Sequence, residues 1–314
     1  MFENNKILII GDLMLDTYLH GTVDRVSPEA PVPVVNVKSK ENKLGGAGNV
    51  ALNIKQLGSE PFVCSVIGND NSGKALKELL IKNSISTDYI ISSDSRKTTN
   101  KTRLIGNKYQ ITRFDDEITD ELNYNDYTNL TRTIELIIEK HDIDVILFQD
   151  YDKGVIDRNL IDKIISLSVD IPVIVDPKKR NFGFYKDIKL IKPNFKELKE
   201  GLNIDSGLDR DEVLKLGVKK LHKKGIEIVF VTLSDDGIFV SYDDGRKSQI
   251  VPGTKRHIYD VSGAGDTVIS IISTLINKEL DILEIAKISN VAGGIVCEQS
   301  GVMPIDIEKL MKEL

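Results

Sequence analysis

Short apolar runs rich in β-branched residues recur along the chain, and stretches with helical periodicity separate them. The runs cover residues 7–10, 32–37, 62–67, 145–148, 173–175 and 228–232. Most are continuous rather than alternating, which is typical of strands buried on both faces of a parallel sheet. The helical stretches cover residues 73–83, 127–140, 209–224 and 264–276. This alternation predicts an α/β fold, with a doubly wound, mostly parallel sheet flanked by helices.

Two stretches interrupt the alternation of strands and helices. Residues 17–43 and 97–115 carry strand-like residues with a polar face and no helical pattern between them. We interpret both as antiparallel strands of a small sheet that lies outside the main one as a lid. No linker rich in Pro, Gly or Ser interrupts the chain, so residues 1–314 are predicted to form a single domain.

The composition excludes several classes of protein. Hydrophobic residues make up 40% and charged residues 29% of the 314 residues, which is typical of a globular protein and not of a disordered one. No apolar run is long enough for a membrane span or a signal peptide, so a cytoplasmic protein is expected. The formal net charge of −6 argues against nucleic acid as a partner. Cys64 and Cys297 lie in apolar runs and are predicted to be buried free thiols.

The strongest chemical signal is the motif Asp-Val-Ser-Gly-Ala-Gly-Asp-Thr at residues 260–267, which an apolar helix follows. Gly263 and Gly265 allow a ligand to approach the backbone closely, and a helix N-terminus favours an anion. Asp266 in such a turn would repel a phosphate unless it acts as a base that accepts a hydroxyl proton, as in a kinase. The alternative is that Asp266 only interacts favourably with the helix dipole.

A second motif, residues 192–198, follows a strand predicted at 188–191. Asn194 is a good N-cap, and Glu197 three residues later completes a capping box, which explains the motif structurally. The functional alternative places Asn194 and Glu197 near nucleotide phosphates. Glu197 would then organise Mg²⁺ through water, because Mg²⁺ usually keeps several of its waters.

Two glycine-rich segments match nucleotide-binding motifs incompletely. Gly46-x-Gly48-x-x-Ala51 matches the dinucleotide fingerprint, but residues 38–43 before it are predicted to be a polar loop and not a strand. A dinucleotide-binding oxidoreductase is therefore disfavoured. Residues 68–75 resemble a P-loop but end in Ala75, where Ser or Thr must bind Mg²⁺. An ordinary strand-to-helix turn is predicted there.

Polar residues follow several predicted strands, at the edge where ligands bind in open α/β sheets. Carboxylates, an amide and glycine backbone suited to sugar hydroxyls occur at Asp16, Gly45, Gly46, Asn49 and Asp150. Cations that could bind a phosphate, the arginine in a bidentate manner, occur at Lys101, Arg103, Lys153 and Lys178. The alternative for each residue alone is a solvated turn or surface.

Together these motifs resemble those of the ribokinase-like (PfkB) carbohydrate kinases, over nearly the whole chain. The family's two signatures correspond to residues 45–73 and 260–267. The resemblance is closest to members of the family that phosphorylate heptose 7-phosphate. Its most specific part is the string Ser-Pro-Glu-Ala-Pro-Val-Pro-Val at residues 27–34. Gln149 departs from the pattern, because relatives often have Ser there.

The resemblance implies that the chain transfers the γ-phosphate of ATP to the anomeric hydroxyl of D-glycero-D-manno-heptose 7-phosphate. The product would be the 1,7-bisphosphate, in the synthesis of ADP-heptose for the lipopolysaccharide core. The same-fold alternative is another sugar or sugar-phosphate kinase, such as a ribokinase or fructokinase. Alternatives from other classes are the oxidoreductase considered above and a ligand sensor that has lost its activity.

The resemblance also implies roles for individual residues. Asp266 would be the base, and the anion hole would comprise Gly263, Ala264 and Gly265. ATP would bind near Asn194, Glu197, Thr232, Ser234, Asp235, Gly237 and Asn290. The sugar would bind at Asp16, Gly46 and Asn49. Mg²⁺ would be organised by Glu197, and a monovalent cation such as K⁺ could bind at Asp260.

The resemblance implies a homodimer and a second enzyme acting downstream. Bifunctional relatives carry a nucleotidyl-transferring domain with a His-x-Gly-His motif, which does not occur in these 314 residues. We therefore expect either that a separate nucleotidyltransferase acts later in the pathway, or that the sequence is one domain of a longer protein.

Overall fold

The described residues, 1–205, 207–299 and 301–314 of a computed structural model, form two sheets with helices around the larger one. The strands are β1 (Lys6–Gly11), β2 (Leu13–Val26), β3 (Pro33–Gly46), β4 (Glu60–Gly68), β5 (Ile90–Ser93), β6 (Thr99–Gly106), β7 (Tyr109–Asp116), β8 (Val145–Gln149), β9 (Val173–Asp176), β10 (Leu190–Ile191), β11 (Ile228–Thr232), β12 (Ile238–Tyr242) and β13 (Lys247–Val251). The helices are α1 (Ala47–Gln56), α2 (Asn71–Lys82), α3 (Tyr124–Lys140), α4 (Arg158–Leu167), α5 (Phe195–Gly201), α6 (Arg210–His222), α7 (Ala264–Leu275), α8 (Ile282–Cys297) and α9 (Ile307–Glu313).

The larger sheet has nine strands within the described residues, in the order β13-β12-β11-β10-β9-β8-β1-β4-β5. The strands from β5 across to β11 are all parallel, and β12 and β13 continue the sheet as antiparallel strands at one edge. The predicted α/β architecture is therefore confirmed. The predicted strand at 188–191 is shorter than expected and comprises only Leu190–Ile191.

Strand β1, which has neighbours on both sides in the larger sheet, shows why its apolar run is continuous. Ile7 and Ile9 pack into one core, which includes side chains of α1, α2, α7 and α8. Leu8 and Ile10 pack into a second core, which includes side chains of α3, α4 and α6. Because successive side chains of a strand point to opposite faces, a strand covered by helices on both sides must be apolar at every position. Cys64 and Cys297 are buried free thiols, as predicted.

The four strands of the small sheet, counted over the described residues, lie in the order β3-β2-β6-β7. Residues 38–43, expected to be a loop, belong to β3, where they pair with β2 in antiparallel register. The expectation that all strands of this sheet are antiparallel is also wrong, because β2 and β6 run parallel. The chain crosses the larger sheet through β4 and β5 before it reaches β6, and such a long crossover allows parallel pairing.

The two incomplete nucleotide-binding motifs have structural explanations. The dinucleotide-like glycines connect the small sheet to α1, so they do not lie in a βαβ unit of the larger sheet. In the P-loop-like segment, Asp70 caps α2 by accepting a hydrogen bond of 2.7 Å from the Gly73 N–H. Its other carboxylate oxygen accepts from the Thr98 N–H at 2.8 Å. The predicted strand-to-helix turn is confirmed.

Among the described residues, no helix has the length and apolarity that crossing a membrane requires.

Helices α1 and α7 begin differently from most of the other helices. Most begin at an Asp or Asn whose side chain accepts a backbone N–H of the first turn. In contrast, α1 and α7 begin at Gly46 and Gly263, whose φ angles are 55° and 84°, and no side chain caps either helix. These left-handed backbones favour glycine. The N–H groups at the start of α7 therefore face no capping side chain and suit an anion.

Candidate active site

The polar residues after the parallel strands meet where the strand order reverses. Strand β1 lies between β4, which follows it in the chain, and β8, which comes much later. A crevice for ligands is expected outside the carboxyl ends of the strands at such a switch point. Asp12 follows β1, residues 149–153 span the end of β8, and Asp176 ends β9. The start of α7 also reaches this crevice, because Asp266 contacts residues that follow β8.

Asp266 is the centre of this arrangement and is only 5% exposed. Its Oδ2 accepts a hydrogen bond of 2.8 Å from the Asn49 amide. Its Oδ1 accepts from the Tyr151 hydroxyl at 2.7 Å and from the Gln149 amide at 3.1 Å. These three donors hold the carboxylate in one orientation at the open N-terminus of α7.

The environment of Asp266 raises the pKa of its carboxyl group to about 6. Burial is the main cause, because it disfavours the charged form. The hydrogen bonds from Asn49 and Tyr151 oppose this effect, and the charge of nearby Lys192 opposes it as well. A carboxyl group with this pKa is mostly ionised at pH 7 and remains basic enough to accept a proton.

Asp12 shapes the loop after β8 that carries these donors. Its carboxylate accepts backbone N–H groups of Tyr151 at 2.8 Å, Lys153 at 3.1 Å and Val155 at 3.2 Å. Burial raises the pKa of the Asp12 carboxyl group, and the three hydrogen bonds oppose that increase. Asp12 thus fixes the backbone from which the Tyr151 hydroxyl reaches Asp266.

Asp150, which we expected to bind substrate, is directed away from Asp266. It is 1% exposed, and its Oδ2 accepts hydrogen bonds from Tyr185 at 2.9 Å and Asn181 at 3.0 Å. Burial and the nearby charge of Asp12 raise the pKa of its carboxyl group to about 7. The structure therefore does not bring Asp150 to the crevice, because its side chain points opposite to its neighbour Tyr151.

Beside the start of α7 lies a buried ion pair, and neither of its two residues is among the predicted site residues. The Lys192 ammonium is 3.0 Å from Asp176 Oδ1, and both side chains are almost fully buried. A Cβ atom at Gly265 would lie 3.7 Å from Lys192 Nζ, so the cation borders the glycine turn. Lys192 directly follows β10 and lies two residues before Asn194, the N-cap of α5. Its position at the end of a buried strand is the signal that could identify it.

A cleft of about 630 Å³ opens on the other side of this turn. Most of the residues expected to bind ATP line it, together with the start of α7: Asn194, Thr232, Ser234, Asp235, Gly237, Ala264, Gly265 and Asn290. The Asn290 amide donates a hydrogen bond of 2.8 Å to the Val251 carbonyl and so joins α8 to β13. Glu197 and Gly263 are not part of the cleft lining. Further lining residues were not among the predicted site residues, and Arg210, Arg256 and Cys297 are examples.

The residues expected to bind sugar lie towards the small sheet. Asp16 on β2 forms an ion pair with Arg103 on β6, and the Arg103 guanidinium lies 5.1 Å from the centre of the Tyr18 ring. A side chain at Gly45 would overlap the Asp16 carboxylate, and one at Gly46 would overlap the Asp12 carbonyl oxygen. Glycine is therefore needed at both positions for α1 to bring Asn49 to Asp266.

The other cations expected to bind phosphate also have carboxylate partners. Lys153 pairs with Glu117 at 2.7 Å, and Lys101 lies 3.7 Å from the second oxygen of Glu117. Lys178 forms an ion pair with Glu197. Burial lowers the pKa of the Lys178 ammonium, but Asp176 and Glu197 outweigh that effect, so its pKa is raised overall. These cations are thus neutralised within the protein.

The two residues expected near metal ions are both engaged with the protein. Glu197 completes the capping box of α5 by accepting the Asn194 N–H at 2.9 Å, which confirms the predicted cap. Asp260 accepts the backbone N–H groups of Ser262 and Gly301 at 2.9 Å each. Burial acts to raise the pKa of the Asp260 carboxyl group, but these hydrogen bonds outweigh it and the pKa is lowered.

Comparison with known proteins identifies the family. Residues 4–309 match the profile described as pfkB family carbohydrate kinase. The chain is 41% identical over 299 residues to the bifunctional protein HldE of Aliarcobacter butzleri, covering 94% of this chain and 61% of that protein. It is 37% identical to the HldE of Helicobacter hepaticus, covering 95% and 61%. The chain thus spans about three fifths of the length of these relatives. It belongs to the pfkB family of carbohydrate kinases, as its motifs predicted.

Solved structures share the fold. Phosphofructokinase-2 from Escherichia coli in complex with potassium aligns with a TM-score of 0.78 at 18% identity, covering 98% of this chain and 97% of that chain. Arabidopsis thaliana ribokinase complexed with ribose and ATP aligns with a TM-score of 0.73 at 18% identity, covering 99% and 98%. The predicted ribokinase-like fold is therefore confirmed.

Proposed function

We propose that the chain transfers the γ-phosphoryl group of ATP to the anomeric hydroxyl of D-glycero-D-manno-heptose 7-phosphate. The products are the heptose 1,7-bisphosphate and ADP, in the synthesis of ADP-heptose. One observation carries the proposal: the buried Asp266 carboxylate lies at the open N-terminus of α7, whose first turn lines the large cleft. The choice of sugar is supported by the string at residues 27–34 and by the identity to the HldE proteins.

Phosphoryl transfer needs a base, a site for negative charge and a fixed line of attack. Asp266 accepts the proton of the anomeric hydroxyl while that oxygen attacks the γ-phosphorus. The bond between the γ-phosphorus and the bridging oxygen breaks, and ADP leaves with that oxygen. The N–H groups of residues 263–265 stabilise the charge on the transferred group. A positioned base of this kind contributes roughly 10² to 10⁴ in rate.

The nucleotide occupies the cleft that Asn194, Thr232 and Asn290 help to line. No group of three or more His, Cys, Asp or Glu side chains converges in the part of the chain that the structure describes. This sparse donor set fits Mg²⁺ that keeps its waters and binds mainly through the nucleotide phosphates. Glu197 would hold the ion through water, and bound Mg²⁺ would neutralise charge on the phosphates. Asp260, held ionised by backbone N–H groups, would hold a monovalent cation such as K⁺.

The sugar binds between Asp266 and the small sheet in this proposal. Hydroxyl groups meet Asp16, Asn49 and the backbone of Gly45 and Gly46. The 7-phosphate meets cations drawn from Lys101, Arg103, Lys153 and Lys178. We further propose a homodimer formed through the small sheet, a cytoplasmic location, and a nucleotidyltransferase that acts later in the pathway.

An ATP-consumption assay with heptose 7-phosphate, ribose, fructose and fructose 6-phosphate tests the proposal. Heptose 7-phosphate should show the highest kcat/KM, and a preference for one of the other sugars would assign a different sugar kinase. The Asp266→Asn variant should lose most turnover and still bind ATP and sugar by calorimetry. Turnover near that of the wild type would exclude Asp266 as the base.

A further inference from the structure

The carboxylate of Glu117 lies between the small sheet and the larger one and interacts with a lysine from each side. Its Oε1 lies 2.7 Å from the ammonium of Lys153, in the loop after β8. Its Oε2 lies 3.7 Å from the ammonium of Lys101, on β6 of the small sheet. The side chains of Lys101, Glu117 and Lys153 are 17%, 22% and 15% exposed, so these charges are largely removed from water.

The Glu117 carboxylate is incompletely hydrogen-bonded in this position. Its Oε2 is buried and has no hydrogen-bond partner among the described residues, because Lys101 is too distant to donate to it. Lys101 also lies 3.5 Å from Asp115, which is already paired with Arg113 at 3.0 Å. Two ammonium groups offer six N–H donors, whereas the carboxylate oxygens paired with them are two of Glu117 and one of Asp115. An anion with more oxygens and more charge would satisfy both lysines better.

The neighbours of this carboxylate place it beside the proposed sugar site. Lys101 is paired in register with Asp16 on β2, the partner of Arg103. The Lys153 backbone is held by Asp12, and Tyr151, two residues earlier, donates to Asp266. The lysine pair is thus attached to both halves of the proposed sugar site.

We propose that Glu117 is an internal counter-ion that occupies the place of the sugar's phosphate and is displaced from Lys101 and Lys153 when a phosphorylated sugar binds. The inference deepens the proposed function and rests on it. The phosphate, with three terminal oxygens, takes over both lysines and keeps the small sheet tied to the loop after β8. A neutral sugar brings no anion and leaves Glu117 in place. Glu117 therefore keeps both lysines paired until a phosphorylated sugar binds, and the phosphate binds less tightly than it would without this competing carboxylate.

The test uses Glu117→Gln, which keeps the side-chain shape and removes the competing charge. We expect the KM for heptose 7-phosphate to fall about five- to tenfold, because the phosphate no longer displaces an ion pair, while the KM for ATP stays unchanged. The matched control is Asp116→Asn. It removes the same charge from the next residue, whose carboxylate pairs with Lys97 at an exposed position. This control should change neither KM.

A binding experiment separates this inference from the choice of substrate. Inorganic phosphate is titrated by calorimetry into protein whose nucleotide cleft is filled with the non-hydrolysable analogue AMP-PNP and Mg²⁺. Phosphate should bind about five- to tenfold more tightly to Glu117→Gln than to the wild type, and Lys153→Met should abolish that gain. This result would support the counter-ion even if heptose 7-phosphate were not phosphorylated.

Two outcomes would overturn the inference. A higher KM for heptose 7-phosphate in Glu117→Gln would mean that Glu117 itself binds the sugar. Unchanged phosphate affinity would mean that Glu117 does not compete for the lysines. If Glu117→Gln did not fold, Glu117→Asp would serve, because it keeps the charge and shortens the bridge. It should tighten phosphate binding part of the way, and weaker or unchanged binding would again reject the inference.

Discussion

The hydrogen bond from Tyr151 to Asp266 provides a direct test of how the base is tuned. Tyr151→Phe removes the hydroxyl that donates 2.7 Å to Asp266 Oδ1 and leaves the aromatic ring, which lies 5.1 Å from Lys178 Nζ, in place. Loss of a donor to a carboxylate disfavours the ionised form. The pKa of Asp266, about 6 in the wild type, should therefore rise.

The size of the effect follows from the energy of such a hydrogen bond. A hydrogen bond to a charged group contributes roughly 1.5–3 kcal/mol, and one pKa unit corresponds to about 1.36 kcal/mol. Asn49 and Gln149 still donate to the carboxylate, so we take the lower limit of about one unit. The ionised fraction at pH 6 then falls from about one half to about one tenth, whereas at pH 9 it stays near one. We expect kcat/KM to fall about fivefold at pH 6 and to be little changed at pH 9.

The assay measures kcat/KM for the sugar at saturating ATP between pH 5 and pH 9, by coupled detection of ADP. The matched control is Tyr185→Phe, which also removes a buried hydroxyl from a carboxylate, since Tyr185 donates 2.9 Å to Asp150. Its acid limb should coincide with that of the wild type. An unshifted acid limb in Tyr151→Phe would refute the tuning of Asp266. An equal loss at every pH would instead indicate that Tyr151 contacts the substrate.

Three further predictions concern stability and binding. The pKa of Asp150, about 7 when folded, lies above its usual value of 3.8, so the free energy of unfolding should fall as pH rises from 4 through 7. Asp150→Asn should remove this pH dependence, which amounts to on the order of 4 kcal/mol at most. Urea titrations at pH 5 and pH 8 measure it, and an unchanged difference between the two pH values would contradict the prediction. Lys192→Met leaves Asp176 buried without its cation and should lower the free energy of unfolding, measured by urea denaturation, by about 3–5 kcal/mol. Adding Asp176→Leu should restore that stability, and a single variant as stable as the wild type would disprove the prediction. Gly45→Ala forces the Asp16 carboxylate aside and should raise the KM for sugar about tenfold but not that for ATP, so two unchanged KM values in steady-state kinetics would rule out this contact.

Much of the fold could be predicted from local patterns. A run such as residues 7–10 must be apolar throughout, because its side chains enter two cores in turn. The glycine turn at residues 260–267 could also be predicted, because few residues other than glycine tolerate the φ of 84° at Gly263. By contrast, the polar composition of residues 38–43 predicts a loop. The segment is a strand because β2 supplies its hydrogen bonds from elsewhere in the chain.

The direction of individual side chains was harder to predict. Gln149, Asp150 and Tyr151 are consecutive polar residues at the end of β8, and Asp150 is the one of the three that we predicted to bind substrate. Gln149 and Tyr151 reach Asp266, whereas Asp150 points to the opposite layer and meets Tyr185. Side chains in extended backbone alternate between faces, and only the packed sheet decides which face carries the site.

The layered α/β architecture and the glycine turn that begins α7 follow from local sequence patterns, since both depend on residues close together in the chain. The electrostatics of the site depend instead on residues that only folding brings together. Asn49 donates to Asp266 from 217 residues away, Arg103 pairs with Asp16 across 87, and Lys153 meets Glu117 across 36. A charge acts on its neighbours in space and not in sequence. Whether a lysine is free for a phosphate or already neutralised therefore depends on how the two sheets pack together.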